Sequence, residues 1–309
     1  MLSKICFSLV IAAMSFAGIT PQLQAENPAK KPTPTFKVSK PPRELVKRLN
    51  LDSFYKKYVS ANGFPVLSSE KVSDYALREA AYIVNLMLAK RNDVRKTLIE
   101  HRCRLVVMAY NEFTSDIPEY GRLKPHKFWD RRARGLGGSR TDPVASCAEE
   151  NMLCFPGDPY STENILIHEF AHLIHLNGMT RIDPTFDKRL RETYNKAMAQ
   201  GLWKGKYASK NKNEYFAEGV QSWFDNNRQP DHDHNFVDTR KELIEYDPGL
   251  AKLCKEVFGE TKLKYVKPTH RKKLGHLKGY DFSKSPRFRW PKGLDEWYRN
   301  YQKQKKKRK

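Results

Sequence analysis

The residues best suited to chemistry are His168-Glu169-Phe170-Ala171-His172, an H-E-x-x-H pattern. Two imidazoles four residues apart on a helix project from one face, so both can reach one metal ion. Glu169 is turned ~100° from His168 at 3.6 residues per turn. Its carboxylate can therefore serve as general base toward a zinc-bound water without ligating the ion. A five-residue pattern arises by chance, but the flanks Ile165, Leu166, Ile167, Phe170, Leu173 and Ile174 describe a buried helix. Such a helix carries two His and a Glu only if they are satisfied together. The competing reading is a core helix whose histidines bond to backbone.

A third protein ligand leaves one position for water. The extended metzincin pattern fails, because His175 stands where Gly is needed and Gly178 where His is needed. His175 lies roughly 10 Å along the axis from His168 and cannot share the ion on a straight helix. It reads as a supporting or packed residue. Asn213-Glu214-Tyr215-Phe216-Ala217-Glu218 supplies two carboxylates four apart, hence one ligand and one partner for the free nitrogen of a ligand His. The spacing alone leaves open which Glu is which.

The run HEFAH, then Tyr207, six intervening residues and Glu214-Tyr215-Phe216-Ala217-Glu218, resembles the catalytic domain of the lethal-factor-type gluzincin peptidases. The likeness covers about residues 160–226. It implies a thermolysin-like core, one zinc ion per chain on His168, His172 and Glu214, Glu218 behind a ligand His, and Tyr207 as the phenol that stabilises the oxyanion. An ordinary packed aromatic is the alternative for Tyr207. In thermolysin-like folds a strand near 147–159 pairs with extended substrate, and the resemblance carries that expectation here.

The elements that must position these groups follow from periodicity. Leu77, Ala80, Ala81, Val84 and Leu88 mark a helix after Ser73, and Arg104–Tyr110 reads as a buried strand. The active helix is expected from about Thr162 to Asn177, with Ser161 as N-cap and Gly178 beyond its end. Residues 111–160 look irregular, and Gly135-Leu136-Gly137-Gly138 reads as a flexible loop rather than a close backbone approach. Residues 44–60 suggest a short basic helix. Further helical patterns fall near Phe186–Ala197, Asn213–Phe224 and Leu250–Phe258. Early strands followed by helices indicate an α+β chain, a small sheet ahead of a mostly helical half. Asp231-His232-Asp233-His234 reads as an exposed polar turn; a second metal site, or a place for His232 or His234 near the substrate channel, is the alternative.

Residues 1–25 read as a signal peptide, with Lys4 before the apolar run Ile5–Ile19, and 26–43 as a Pro/Lys-rich linker. The apolar run is short for a span of roughly 20 residues. The metallopeptidase domain is expected over 44–260, and a secreted, periplasmic or cell-surface location follows. Four cysteines remain, with Cys147–Cys154 and Cys103–Cys254 the expected disulfides and buried free thiols the alternative. Of the net charge of +22, +15 falls on residues 261–309, a basic and aromatic extension suited to an anionic cell-surface polymer; nucleic acid is not the expected partner. The function expected is a secreted zinc endopeptidase acting on peptide or protein. The rival is a catalytically inactive zincin-fold surface protein that adheres to anionic polymers.

Overall fold

The computed structural model of the chain describes residues 36–228, 230–260 and 263–307. The expected signal peptide and the start of the linker lie outside them. The chain is α+β, and its four strands come early. Helix α1 (Arg43–Leu49) leads into β1 (Lys57–Ala61) and β2 (Phe64–Ser68), then α2 (Asp74–Met87), α3 (Asn92–Glu100) and β3 (Arg104–Met108). Helix α4 (His126–Arg132) precedes β4 (Val144–Ala148), which runs straight into the single turn α5 (Glu149–Met152). The expected helix over 44–60 is thus shorter. It stops at Asn50, which adopts left-handed φ 48, and the chain then turns into β1.

The sheet order is β1-β2-β3-β4, with β1–β2 antiparallel and both later pairs parallel. Parallel strands are normally covered on both faces, and here they are. Leu105 and Val107 of β3 join the larger core cluster beneath the helices. Val106 and Met108 join a second cluster with Leu45, Leu49, Tyr55 and Tyr120 on the opposite face. Helix α2 forms as the spacing predicts. Ser73 Oγ caps it by accepting the Tyr75 N–H at 3.3 Å, and Leu77, Ala80, Ala81 and Val84 are fully buried.

The site helix α6 (Ile165–Leu173) packs between β4 and α9 (Lys212–Trp223). Phe170 meets Phe64 of β2 edge-on, ring centroids 5.3 Å apart. Burying a side chain of that size contributes about 1.5–3 kcal/mol, so the polar face of α6 is fixed by its apolar one. The helix differs from expectation at both ends. It begins at Ile165, where the buried N–H is capped from outside by Asn151 Oδ1 at 2.9 Å rather than by Ser161. It does not stop at Gly178: Ile174–Met179 continue as a wider π-helical turn into the short α7 (Thr180–Ile182). Gly178 is used for packing, since a Cβ there would stand 2.8 Å from Val94 Cγ1.

Helix α8 (Phe186–Ala199) precedes α9, and α10 (Arg240–Tyr246) and α11 (Pro248–Phe258) follow it. The basic stretch from 263 runs along the same unit: Tyr265, Leu277 and Phe288 are buried, and the stretch ends in α12 (Leu294–Lys307). No described helix is long and apolar enough to cross a membrane.

The cysteine pairings expected from the sequence are not formed. All four cysteines are free thiols. Cys103 points its Sγ at the His101 carbonyl, 3.8 Å away, and Cys254 sits in the core face of α11. Cys147 is enclosed in β4, whereas Cys154, at φ 56, interacts with Thr269. Burial pushes the Cys103 thiol up to about 12 and raises the other three as well, which makes them behave as small apolar residues.

Candidate metal centre

Helices α6 and α9 bring three groups together. Glu214 Oε2 lies 3.0 Å from His168 Nε2 and 3.3 Å from His172 Nε2. The donor atoms of the three residues all fall within 4.8 Å of one another, and this is the one such His/Cys/Asp/Glu group among the described residues. A tetrahedral ion with ligands at about 2.0–2.1 Å has ligand–ligand edges of about 3.3 Å, close to what is present. Two imidazoles and one carboxylate, with no thiolate among them, suit zinc and related divalent ions.

Local sequence explains the convergence. Asn211 Oδ1 accepts the N–H groups of Asn213 and Glu214 at 2.8 and 3.1 Å, so α9 starts there and Glu214 falls in its first turn. Glu218, one turn on, is buried and faces the other side of His168, its Oε1 3.3 Å from Nδ1. Gln221 Oε1 is also 2.9 Å from that Nδ1. An Nδ1–H held by two acceptors is the arrangement that would free Nε2 to give its lone pair to an ion.

The electrostatics match a cation site. Burial raises the Glu214 carboxyl, but hydrogen bonds from His168 and His172 outweigh it and the carboxyl falls well below its usual range. For Glu218 burial again opposes, and His168 and His234 bring the carboxyl down to about 2. His168 is penalised by burial yet raised well above its ordinary value by Glu214 and Glu218. A half-buried Glu214 and a buried Glu218, both held in the charged form, are groups that a bound cation would satisfy.

Glu169 is half-buried in the same cleft, and burial raises its carboxyl. The cleft measures about 520 Å³, and its lining includes Gly135–Ser139, Tyr160, Tyr207 and His234. Tyr207 sits in a short 3₁₀ turn ahead of α9, its ring centroid 6.0 Å from that of His168 and its N–H bonded to the Asp233 carbonyl at 2.7 Å. Burial, then Glu214, raises its phenol, so it stays a hydrogen-bond donor at neutral pH. His175 lies apart from this group. Fully buried, it pairs through Nε2 with Asp187 Oδ1 at 3.1 Å, and Lys212 Nζ holds the same carboxylate.

Two readings change. Gly135–Gly138 is not a loose loop: Leu136 pairs with Ser146 of β4 through N–H···O bonds of 3.3 and 2.8 Å, and the strip lies against α6. A Cβ on Gly137 would be 2.5 Å from His172 Cδ2, and one on Gly135 would be 3.1 Å from Glu169 Cγ. Asp231–His234 is an exposed turn only in part. His232 projects into solvent, but His234 is buried, bonded to Asp231 at 2.8 Å and 3.6 Å from Glu218 Oε2. Gln221 carried no motif and was missed, and only its place seven residues after Glu214 on the same helix could have pointed to it.

No family model matches the chain, and no curated protein matches it. Among solved structures the chain is similar to the Pro-Pro endopeptidase from Paenibacillus alvei, at 16% identity over 62% of this chain and 96% of that one, with a TM-score of 0.42. A likeness at that level leaves the chemistry to the residues themselves.

Proposed function

We propose that the chain is a zinc-dependent endopeptidase of the lethal-factor type, on a thermolysin-like core, exported after loss of residues 1–25. One observation carries the reading. A single carboxylate oxygen of Glu214 stands within 3.3 Å of both HExxH imidazoles, in a cleft that Glu169 also lines. His168, His172 and Glu214 would hold the ion. A zinc ion so held supplies a Lewis acid for the scissile carbonyl and lowers the pKa of its water to about 7.

The chain's own residues supply the rest. Glu169, with its raised carboxyl, accepts a proton from the attacking water and returns it to the leaving amine. The Tyr207 phenol donates to the oxyanion. Glu218 and Gln221 hold the Nδ1–H of His168 and so fix its tautomer. An extended substrate has a natural partner in the glycine strip. Since Leu136 turns both its backbone groups toward Ser146, those of Gly135 and Gly137 face away from β4. The basic end of α12, with Lys303 and Lys305–Lys307 exposed, supports adhesion to an anionic surface. The test is hydrolysis of an unstructured peptide mixture by zinc-loaded protein. Cleavage abolished by chelation and restored by zinc supports the reading; a zinc-loaded protein that cleaves no member of the mixture counts against it.

A further inference from the structure

The cleft carries two arginines, Arg132 and Arg228, and they are not equivalent. Arg228 is neutralised: its guanidinium pairs with the buried Glu163 and lies 3.5 Å from Asp231. Arg132 makes no ion pair with a carboxylate among the described residues. Burial works against its charge, yet the nearby phenols of Tyr207, Tyr298 and Tyr160 leave its pKa raised. A guanidinium has five N–H donors in a planar fork. No carboxylate among the described residues takes them up, and they belong to an exposed side chain that lines the cleft together with Tyr207 and Glu169.

The placement of Arg132 is fixed from behind. Helix α4 has seven residues and none is buried, so the core does not seat it. The turn at Thr114–Asp116, where Asp130 accepts the Ser115 N–H and Oγ–H at 2.8 and 2.9 Å, and the C-terminal helix do. Phe128 stacks on Tyr298 at 5.6 Å and meets Tyr301 at 5.5 Å, while Arg131 pairs with Asp295 and lies 4.4 Å over the Trp290 ring. Arg131 and Arg132 are adjacent, and the first is tied to the C-terminal arm while the second is left to the cleft.

We infer that Arg132 is a specificity residue which receives a carboxylate of the substrate, on an acidic side chain or at a free C-terminus, close to the scissile bond. This rests on the peptidase reading for the word substrate, but not for the binding itself. A carboxylate accepts two parallel N–H bonds from such a fork. The acids already in the cleft do not fill that place: Glu163 is engaged by Arg228, Glu214 and Glu218 by histidines, Asp233 lies beside His232, and Glu169 makes no ion pair with Arg132.

The test uses full-length Glu169→Gln protein loaded with zinc and fluorescent peptides that differ only by Glu or Gln at each position, with a free-acid or amidated C-terminus as a further arm. Binding is read by anisotropy. The acid form is expected to bind on the order of fivefold tighter, as for a partly exposed pair, with the advantage shrinking in salt. Adding Arg132→Gln should bring the acid-to-amide ratio close to one. Arg132→Lys should keep part of it, since the charge remains without the fork. The position of the effective acid tells side chain from terminus. Equal binding of acid and amide forms by the parent, or a preference that survives Arg132→Gln, overturns the inference. Absence of cleavage by the unsubstituted chain would overturn the peptidase reading while leaving this comparison of affinities intact.

Discussion

Gly137→Ala probes the least obvious part of the site, the contact between a backbone strip and a metal-ligand candidate. The added Cβ would stand 2.5 Å from His172 Cδ2, 2.7 Å from its Cβ and 2.8 Å from its Cγ. Carbon atoms rest at about 3.5–4.0 Å, so some 1 Å of separation must be found. Helix α6 cannot retreat, because Phe170 on its other side is fully buried against Phe64. Either the strip lifts and loses its two bonds to Ser146, at about 1 kcal/mol each, or the His172 ring turns away from Glu214. Overpacking of this kind costs about 1–3 kcal/mol. Zinc affinity, measured by chelator competition, should fall about tenfold or more, as it does when the support of a ligand is disturbed. The zinc-free protein should also melt a few degrees lower. Gly138→Ala meets the flexible end of Leu173 at 2.4 Å, and its loss should be in stability more than in affinity; Gly121→Ala, with only an ordinary 3.5 Å contact, is the control. If Gly137→Ala matches the parent in both zinc affinity and melting, the strip does not rest on His172 and the description of this wall is wrong.

Glu214→Gln should release zinc strongly, because it replaces an anionic oxygen facing both imidazoles, whereas Glu218→Gln should cost about 10–100-fold. Titration of the two variants with a competing chelator decides the order, and the reverse ranking would make Glu218 the ligand. His175 is depressed to about 4 by burial, then by Lys212. The unfolded chain therefore binds a proton near pH 6.5 that the folded chain refuses until about pH 4, and stability is lost as pH falls through that window. Relative to His175→Gln, the parent should lose about 3 kcal/mol between pH 7 and pH 4 in urea unfolding, and a constant difference would refute the assignment. A chain ending at Tyr301 keeps the Phe128 stack and drops six Lys/Arg. It should turn over a short peptide as before and adsorb less to anionic vesicles, with weaker salt dependence; a large loss of turnover would place the tail in the active site.

The parts of the site that were legible in the sequence are those written in helical period. His168, Glu169 and His172 are set by four-residue spacing, and so is the pair Glu214 and Glu218, while α2 followed from its apolar face and Ser73. What the sequence did not reveal depends on contacts between distant segments. Asn151 caps α6 from a turn fourteen residues away, a partnership that no local rule encodes. Gly178 looked like a helix stop because glycine usually ends helices, but here it makes room for Val94 under a π-helical turn. The glycines of 135–138 have the composition of a loose loop, and only the proximity of His172 and Leu173 explains them. His234 sits in a polar turn, yet its Nε2 is drawn inward by Glu218. An even number of cysteines favoured disulfides, whereas each thiol is enclosed by its own neighbours.

The central claim is that Glu169 does chemistry at an ion held by His168, His172 and Glu214. It is tested most directly by measuring bound zinc and peptide turnover side by side for the parent and Glu169→Gln. One zinc per chain in both, with turnover in the parent reduced on the order of 10²–10⁴-fold in the variant, is the result predicted. Equal turnover by the two proteins at equal zinc content would contradict it.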